Sequence, residues 1–167
     1  ASDYDFTVEE IQAQEIEKIT ISSTKVRNSI NNGDLKTTEK YLGRYFNLTG
    51  KVIKGDGLGK KIMYPTANIF IKEKYKIIPK DGVYLIKTCI KNKLYNGMMN
   101  IGHRPTIGAN EKSLEVHLFN FNKDIYGEQI SVDIISKIRD EKKFSSIEAL
   151  KDQLVKDENH CLKLINK

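Results

Sequence analysis

Tryptophan is absent from this 167-residue chain, and its eight tyrosines and six phenylalanines are spread singly. That leaves no stacking array of the kind single-stranded nucleic acids use. Only two cysteines occur, which excludes a disulfide framework. Cys89 lies in an apolar strand-like run and Cys161 on a helical apolar stripe, so both read as buried free thiols of a reducing cytoplasm. The three histidines have no metal-ligand spacing with one another or with the cysteines, which argues against structural zinc. No apolar run approaches a membrane span. The stretch from Ser2 to Glu17 is acidic and polar, unlike a signal peptide. Repeats and low-complexity tracts are missing too. The chain opens on Ala1 rather than Met, as expected for a trimmed chain or a piece of a longer protein.

What is present fits one domain of 19.1 kDa with room for an appendage, and 39% hydrophobic residues suffice for a core. The net charge of +6 suits a polyanionic partner, either nucleic acid or a small molecule such as ATP. The lysines are scattered rather than gathered into a stripe, so most belong to a solvated surface.

Residues 1–44 differ in texture from the rest. Ile16 to Ile21 predicts a short strand, and Ser22-Ser23-Thr24 an N-cap cluster. Val26 and Ile30 lie four apart, and Asn32-Gly33 ends that helix. Asp34 caps a second one, with Leu35, Thr38 and Leu42 on one face and Gly43 as its stop. These two helices hold too few apolar residues for a core of their own. From Tyr45 the pattern is β: Gly50–Lys54, Ala67–Ile71, Val83–Ile90, Leu94–Ile101, Leu114–Phe119 and Gln129–Ile138 read as strands separated by turn signals. Six short strands with hairpin-length connections predict an antiparallel barrel or sandwich. A C-terminal helix follows, with Ser145 and Glu148 as a capping box. Ile147, Leu150, Leu154, Cys161 and Leu164 form its apolar stripe, interrupted by Asp157.

The segment with most chemical content is Gly55-Asp56-Gly57-Leu58-Gly59-Lys60-Lys61-Ile62-Met63-Tyr64-Pro65-Thr66-Ala67-Asn68. Glycines at alternate positions uncover backbone N–H groups, and Lys60 and Lys61 add positive charge, as a polyphosphate requires. The spacing is neither that of the P-loop nor that of the dinucleotide fingerprint. Thr66 and Asn68 are two apart, so an extended backbone points both to one face. A hydroxyl and an amide beside a phosphate cradle suit a Mg²⁺-nucleotide complex. Further on, Leu114, Val116 and Leu118 alternate with Glu115, His117 and Phe119. If the first set faces a barrel interior, Glu115 and His117 stand side by side outside. Two readings of Glu115 are open: a residue of an exposed half-polar strand, or a general base that takes the proton of an attacking alcohol. Asn100 to Thr106 and Asp124-Ile125-Tyr126-Gly127 read as loop and turn, and Arg139 to Phe144 as a charged surface linker.

Taken in order, the glycine loop, Pro65-Thr66-Ala67-Asn68, Asp81-Gly82-Val83-Tyr84, Asn100 to Thr106, Leu114 to Phe119, Asp124 to Gly127 and Ile138 to Phe144 closely resemble a riboflavin kinase domain. The likeness covers about residues 41 to 160. Residues 1–44 resemble the end of the adenylyltransferase domain that precedes the kinase in bacterial bifunctional riboflavin kinase/FAD synthetases. Ile21 to Arg27 is similar to its Ile-Ser-Ser-Thr-x-x-Arg nucleotide motif. The division implied is therefore 1–44, an adenylyltransferase remnant, and 45–167, the kinase domain. The implied fold is mainly β: a six-stranded antiparallel Greek-key barrel with a C-terminal helix, preceded by short N-terminal helices.

The implied activity is phosphorylation of the riboflavin 5′-hydroxyl by ATP with Mg²⁺, giving FMN and ADP in the cytoplasm, with neither nucleic acid nor membrane as partner. By motif, Glu115 is the base. Gly55, Gly57, Gly59, Lys60, Lys61, Thr66, Asn68 and Asn100 serve the nucleotide, with Thr66 and Asn68 also on the metal. Tyr126 and Arg139 serve the flavin. The family's His-x-Gly-His-type motif for adenylyl transfer is missing from the chain, so FAD synthesis is not expected from it. Ile62-Met63-Tyr64 stands where the family usually has Leu-Gly-Phe. Either position 63 avoids positive φ, or the loop runs differently. A nucleic-acid-binding barrel without catalytic activity is the alternative that the charge and β pattern allow.

Overall fold

The computed structural model describes residues 15–16, 19–55, 59, 62–103 and 112–166. Two short strands, β1 (Glu15–Ile16) and β2 (Ile19–Thr20), form a small antiparallel pair where one strand is predicted. Helix α1 (Ser23–Asn31) starts at Ser22, whose hydroxyl accepts from the Lys25 amide at 3.3 Å. Helix α2 (Leu35–Leu42) starts at Asp34, which accepts from the Thr37 amide at 3.1 Å, and stops at Gly43 with φ +68°. Caps of this kind occupy N–H groups that the helix itself leaves without a partner. The pair has little core of its own, as expected. It is joined by the fully buried Thr38, whose hydroxyl lies 2.8 Å from that of Ser29. Leu35 reaches into the main core of the domain.

That domain is a closed antiparallel barrel of β3 (Phe46–Ile53), β4 (Ala67–Phe70), β5 (Gly82–Ile90), β6 (Lys93–His103), β7 (Lys112–Leu118) and β8 (Gln129–Arg139), in spatial order β3-β4-β7-β6-β5-β8. Strands β5, β6 and β7 form a meander and β8 returns beside β5, which is a Greek key. Each barrel strand is paired on both sides, β4 meeting β7 through Ala67–Val116 and Asn68–Glu115. The interior holds Leu48, Val52, Ile86, Met99, Val116 and Val132 among others. Leu114, Val116 and Leu118 all point inward, as their alternation predicts.

Alternation fails in β5, where Val83, Tyr84, Leu85 and Ile86 are buried in succession. The cause is a second core outside the barrel wall, in which Tyr64, Val83, Leu85, Met98 and Phe119 meet helix α3 (Ile147–Ile165) through Cys161, Leu150 and Leu154. A strand covered on both faces loses its period-two signature. Helix α3 begins one residue later than its sequence suggests. Ser146 caps it by accepting from the Ala149 amide at 3.1 Å. The Glu148 carboxyl is held below its ordinary range by its own backbone amide and the Ser146 hydroxyl.

The two cysteines part company. Cys161 is fully buried, and burial, reinforced by Asp157 and Glu158, pushes its thiol up to about 12. Cys89 is exposed, contrary to the expectation of two buried thiols, because the outward face of β5 is open to solvent there. One thiol equivalent is therefore expected to react rapidly with an aromatic disulfide reagent at neutral pH, and the second only after denaturant is added. Two fast equivalents would contradict the packing of α3.

Candidate active site

The barrel register assembles the site. On the outer wall, Asn68 of β4 is the cross-strand partner of Glu115 of β7, and Glu115 is in turn the partner of Asn100 of β6. Directly paired side chains stand about 4.5–5.5 Å apart at Cβ. One carboxylate is thus flanked by two amides in a single row. His117 lies one outward position along β7, with Nδ1 2.9 Å from the Pro65 carbonyl and its ring 5.0 Å from that of Tyr64. The Tyr64 hydroxyl donates to Glu158 of α3 at 2.9 Å. Burial, aided by that carboxylate, pushes the phenol up to about 12.

Asn68 is 5% exposed although it faces outward, with Gly55 packed against its amide. A Cβ at Gly55 would collide with the Asn68 amide nitrogen, and one at Gly59 would meet the Tyr64 carbonyl and come within 3.2 Å of the Thr66 hydroxyl. Neither glycine is needed for a positive φ; both are needed for close approach. Gly57, Lys60 and Lys61, the other predicted residues of this loop, lie outside the described residues. Met63 does adopt a positive φ, +64°, so of the two alternatives the first, that the position avoids positive φ, is corrected. Its side chain is 72% exposed and loses no packing on removal. Met63→Gly is accordingly expected to stabilise the fold by about 1 kcal/mol, the left-handed cost less the added freedom of the unfolded glycine. That raises Tm by about 2–4 °C, readable by thermal melts monitored by circular dichroism.

Two cavities adjoin at Thr66, and Asn100 and Glu115 of the row line the first of them. The first, about 230 Å³, takes in Asn100, Glu115, Thr66 and Arg139, with apolar walls from Met98 and Leu154 among others. The second, about 420 Å³, runs from Thr66 along Val116 and Leu118 to Lys123, Asp124 and Tyr126. Thr66 lines both. Tyr126 and Arg139, both expected at the flavin, are therefore in different cavities. Tyr126 sits in a tight turn, its amide donating to Asp124 Oδ1 at 2.8 Å, ahead of Gly127 at φ +82°. Arg139, Glu141, Lys142 and Phe144 line the first cavity, so the charged 139–144 linker, exposed at 140–143 as expected, also forms one of its walls. Asp157 is a further residue of the site's surroundings: it grips Arg139 from α3, with Oδ1 and Oδ2 at 3.0 and 2.9 Å from Nε and Oδ2 at 2.8 Å from Nη2. The signal for it in the sequence is an acidic residue breaking an apolar helical stripe.

The outer wall of a closed Greek-key barrel thus carries a carboxylate between two amides, with Gly55 packed against one amide and a mostly apolar cavity beside the carboxylate. Residues 42–165 match the riboflavin kinase (flavokinase) family. The bifunctional riboflavin kinase/FMN adenylyltransferase of Haemophilus influenzae is 41% identical over 155 residues, covering 92% of this chain and 50% of that protein. Its namesake from Bacillus subtilis is 37% identical, covering 89% and 49%. Among solved structures, a Streptococcus pneumoniae chain described as a macrolide-efflux protein superposes with TM-score 0.82 at 39% identity, covering 89% of this chain and 49% of that one. The riboflavin kinase of Trypanosoma brucei, 23% identical over 74% of this chain and 82% of its own, shares the fold at TM-score 0.53. The chain belongs to the riboflavin kinase family. It spans about half the length of the curated relatives it matches. Among the described residues, no helix is long and apolar enough to cross a membrane.

Proposed function

We propose that this chain transfers the γ-phosphoryl group of ATP to the ribityl 5′-hydroxyl of riboflavin, with Glu115 as general base. The observation that carries the assignment is the Asn68–Glu115–Asn100 row, of which Glu115 and Asn100 line the first cavity, close to Thr66, which lines both. The first cavity, mostly apolar and closed on one side by Phe144 and Arg139, takes the flavin ring. The second, with Lys123 and Tyr126 at its far end, takes the nucleotide, so its phosphates meet the 5′-hydroxyl near Thr66. Glu115 accepts the hydroxyl proton as the oxygen bonds to phosphorus, and the bond from phosphorus to the ADP oxygen breaks. Such a transfer depends on positioning and charge neutralisation more than on covalent chemistry.

The donors suit a magnesium ion brought in with ATP. No group of three or more His, Cys, Asp or Glu side chains able to hold a metal is present among the described residues. Thr66 and Asn68 instead offer neutral side-chain oxygens, with Gly55 packed against the Asn68 amide and Gly59 near the Thr66 hydroxyl. Mg²⁺ keeps several waters and relies on substrate phosphates, and once bound it neutralises charge developing on the phosphoryl oxygens. Thr66 and Asn68 would hold it, and Asn68 lies next to Glu115 without adding a competing charge.

Residues 1–44 are proposed as the end of an adenylyltransferase domain and 45–167 as the kinase. In support, the bifunctional relatives are about twice as long. FMN formation from riboflavin, ATP and Mg²⁺, followed by chromatographic separation of the flavins, tests the assignment. FMN and no FAD is expected, and no FAD when FMN and ATP are supplied. Absence of FMN at any enzyme concentration would refute the kinase.

A further inference from the structure

We propose that Asp157 is a positioning residue of the flavin cavity, acting through Arg139; this rests on the assignment of that cavity to the flavin. The carboxylate is 2% exposed on a helical stripe otherwise made of Leu150, Leu154, Cys161 and Leu164. Burying an anion there is unfavourable unless it is paired and hydrogen-bonded. Even when it is, an apolar residue of similar volume often serves stability as well or better. Stability by itself therefore does not account for an aspartate at this position.

Its surroundings do. Asp157 receives Nε and Nη2 of Arg139 in a side-on pair, and the Gln153 amide donates to Oδ1 at 2.9 Å. The remaining guanidinium nitrogen, Nη1, donates to the Asp140 carbonyl at 3.0 Å. The guanidinium carbon lies 5.7 Å from the centre of the Phe144 ring. All three guanidinium nitrogens are thus engaged by the protein, and a long side chain with considerable rotamer freedom is fixed in one plane. The charge is neutralised in place. What the cavity receives from Arg139 is a flat, rigid and nearly neutral surface beside an aromatic ring. Such a wall suits an uncharged planar heterocycle and gives no electrostatic preference to an anion. Helix α3, which touches no reacting atom, sets the shape of the cavity through this pair.

The test uses the 167-residue chain and riboflavin. Asp157→Asn is expected to raise both KM for riboflavin and the riboflavin dissociation constant, read from flavin fluorescence quenching without nucleotide, by at least about tenfold. KM for ATP should stay within about twofold, as expected when only the acceptor's binding is lost. Arg139→Gln, alone and combined with Asp157→Asn, completes a cycle in which the double variant carries no unpaired buried charge. Both are expected to bind riboflavin weakly and equally, since Asp157 acts only through the arginine. That comparison decides the matter even if Asp157→Asn alone fails to fold. Wild-type flavin affinity in either Arg139 variant, a double variant weaker than the single, or an Asp157→Asn effect confined to Tm would each overturn the proposal. Failure of the kinase assignment looks different: the unaltered chain would then not phosphorylate riboflavin at all.

Discussion

Glu115→Gln is expected to lower turnover by about 10²–10⁴ while leaving riboflavin affinity nearly unchanged. The substitution keeps the size and shape of the side chain but removes its capacity to take a proton. Glu115 faces outward from β7 between residues whose own side chains fill the barrel interior. The core is therefore untouched, and the melting temperature should hold. Steady-state kcat measured beside flavin fluorescence quenching separates the chemical role from binding. A variant that turns over like the parent would remove Glu115 as the base, whatever its position. Loss of flavin affinity in parallel with kcat would make it a binding residue instead.

The strand content was legible because most of the chain follows simple periods. In β7, Leu114, Val116 and Leu118 alternate with polar neighbours and do face the interior. The caps at Ser22 and Asp34 and the stop at Gly43 could be read off directly, since capping depends on residues within one turn. What escaped local reading depends on contacts between distant segments. The outer-wall core is hidden because one face of β5 lines the barrel interior and the other is covered by a helix that follows far along the chain. Residues 139–144 are the surface linker they look like, but their second role, as a cavity wall with Arg139 held by Asp157, depends on the distant helix. The exposure of Cys89 reflects where α3 stops covering the wall, which no single strand records. The row of Asn68, Glu115 and Asn100 is a property of register, and only the order of motifs along the chain hinted at it.

Asn68→Ala is expected to raise KM for Mg·ATP by about 10–100-fold, the range for a hydrogen bond to a charged group, with a smaller change in KM for riboflavin. The amide is held at the end of a short strand, beside Glu115 and beneath Gly55. It is also outside the interior cluster, so truncation should leave the barrel folded. Gly55→Ala offers an independent route to the same defect. It removes no functional group, yet its methyl cannot be placed without moving the Asn68 amide. If that amide serves the nucleotide, the two variants should resemble each other, with elevated KM for Mg·ATP and partial recovery at high magnesium. Nucleotide titrations at several fixed Mg²⁺ concentrations make the comparison. Should both variants impair riboflavin use while sparing ATP, Asn68 belongs to the acceptor side of the junction, and the division of the two cavities must be reversed.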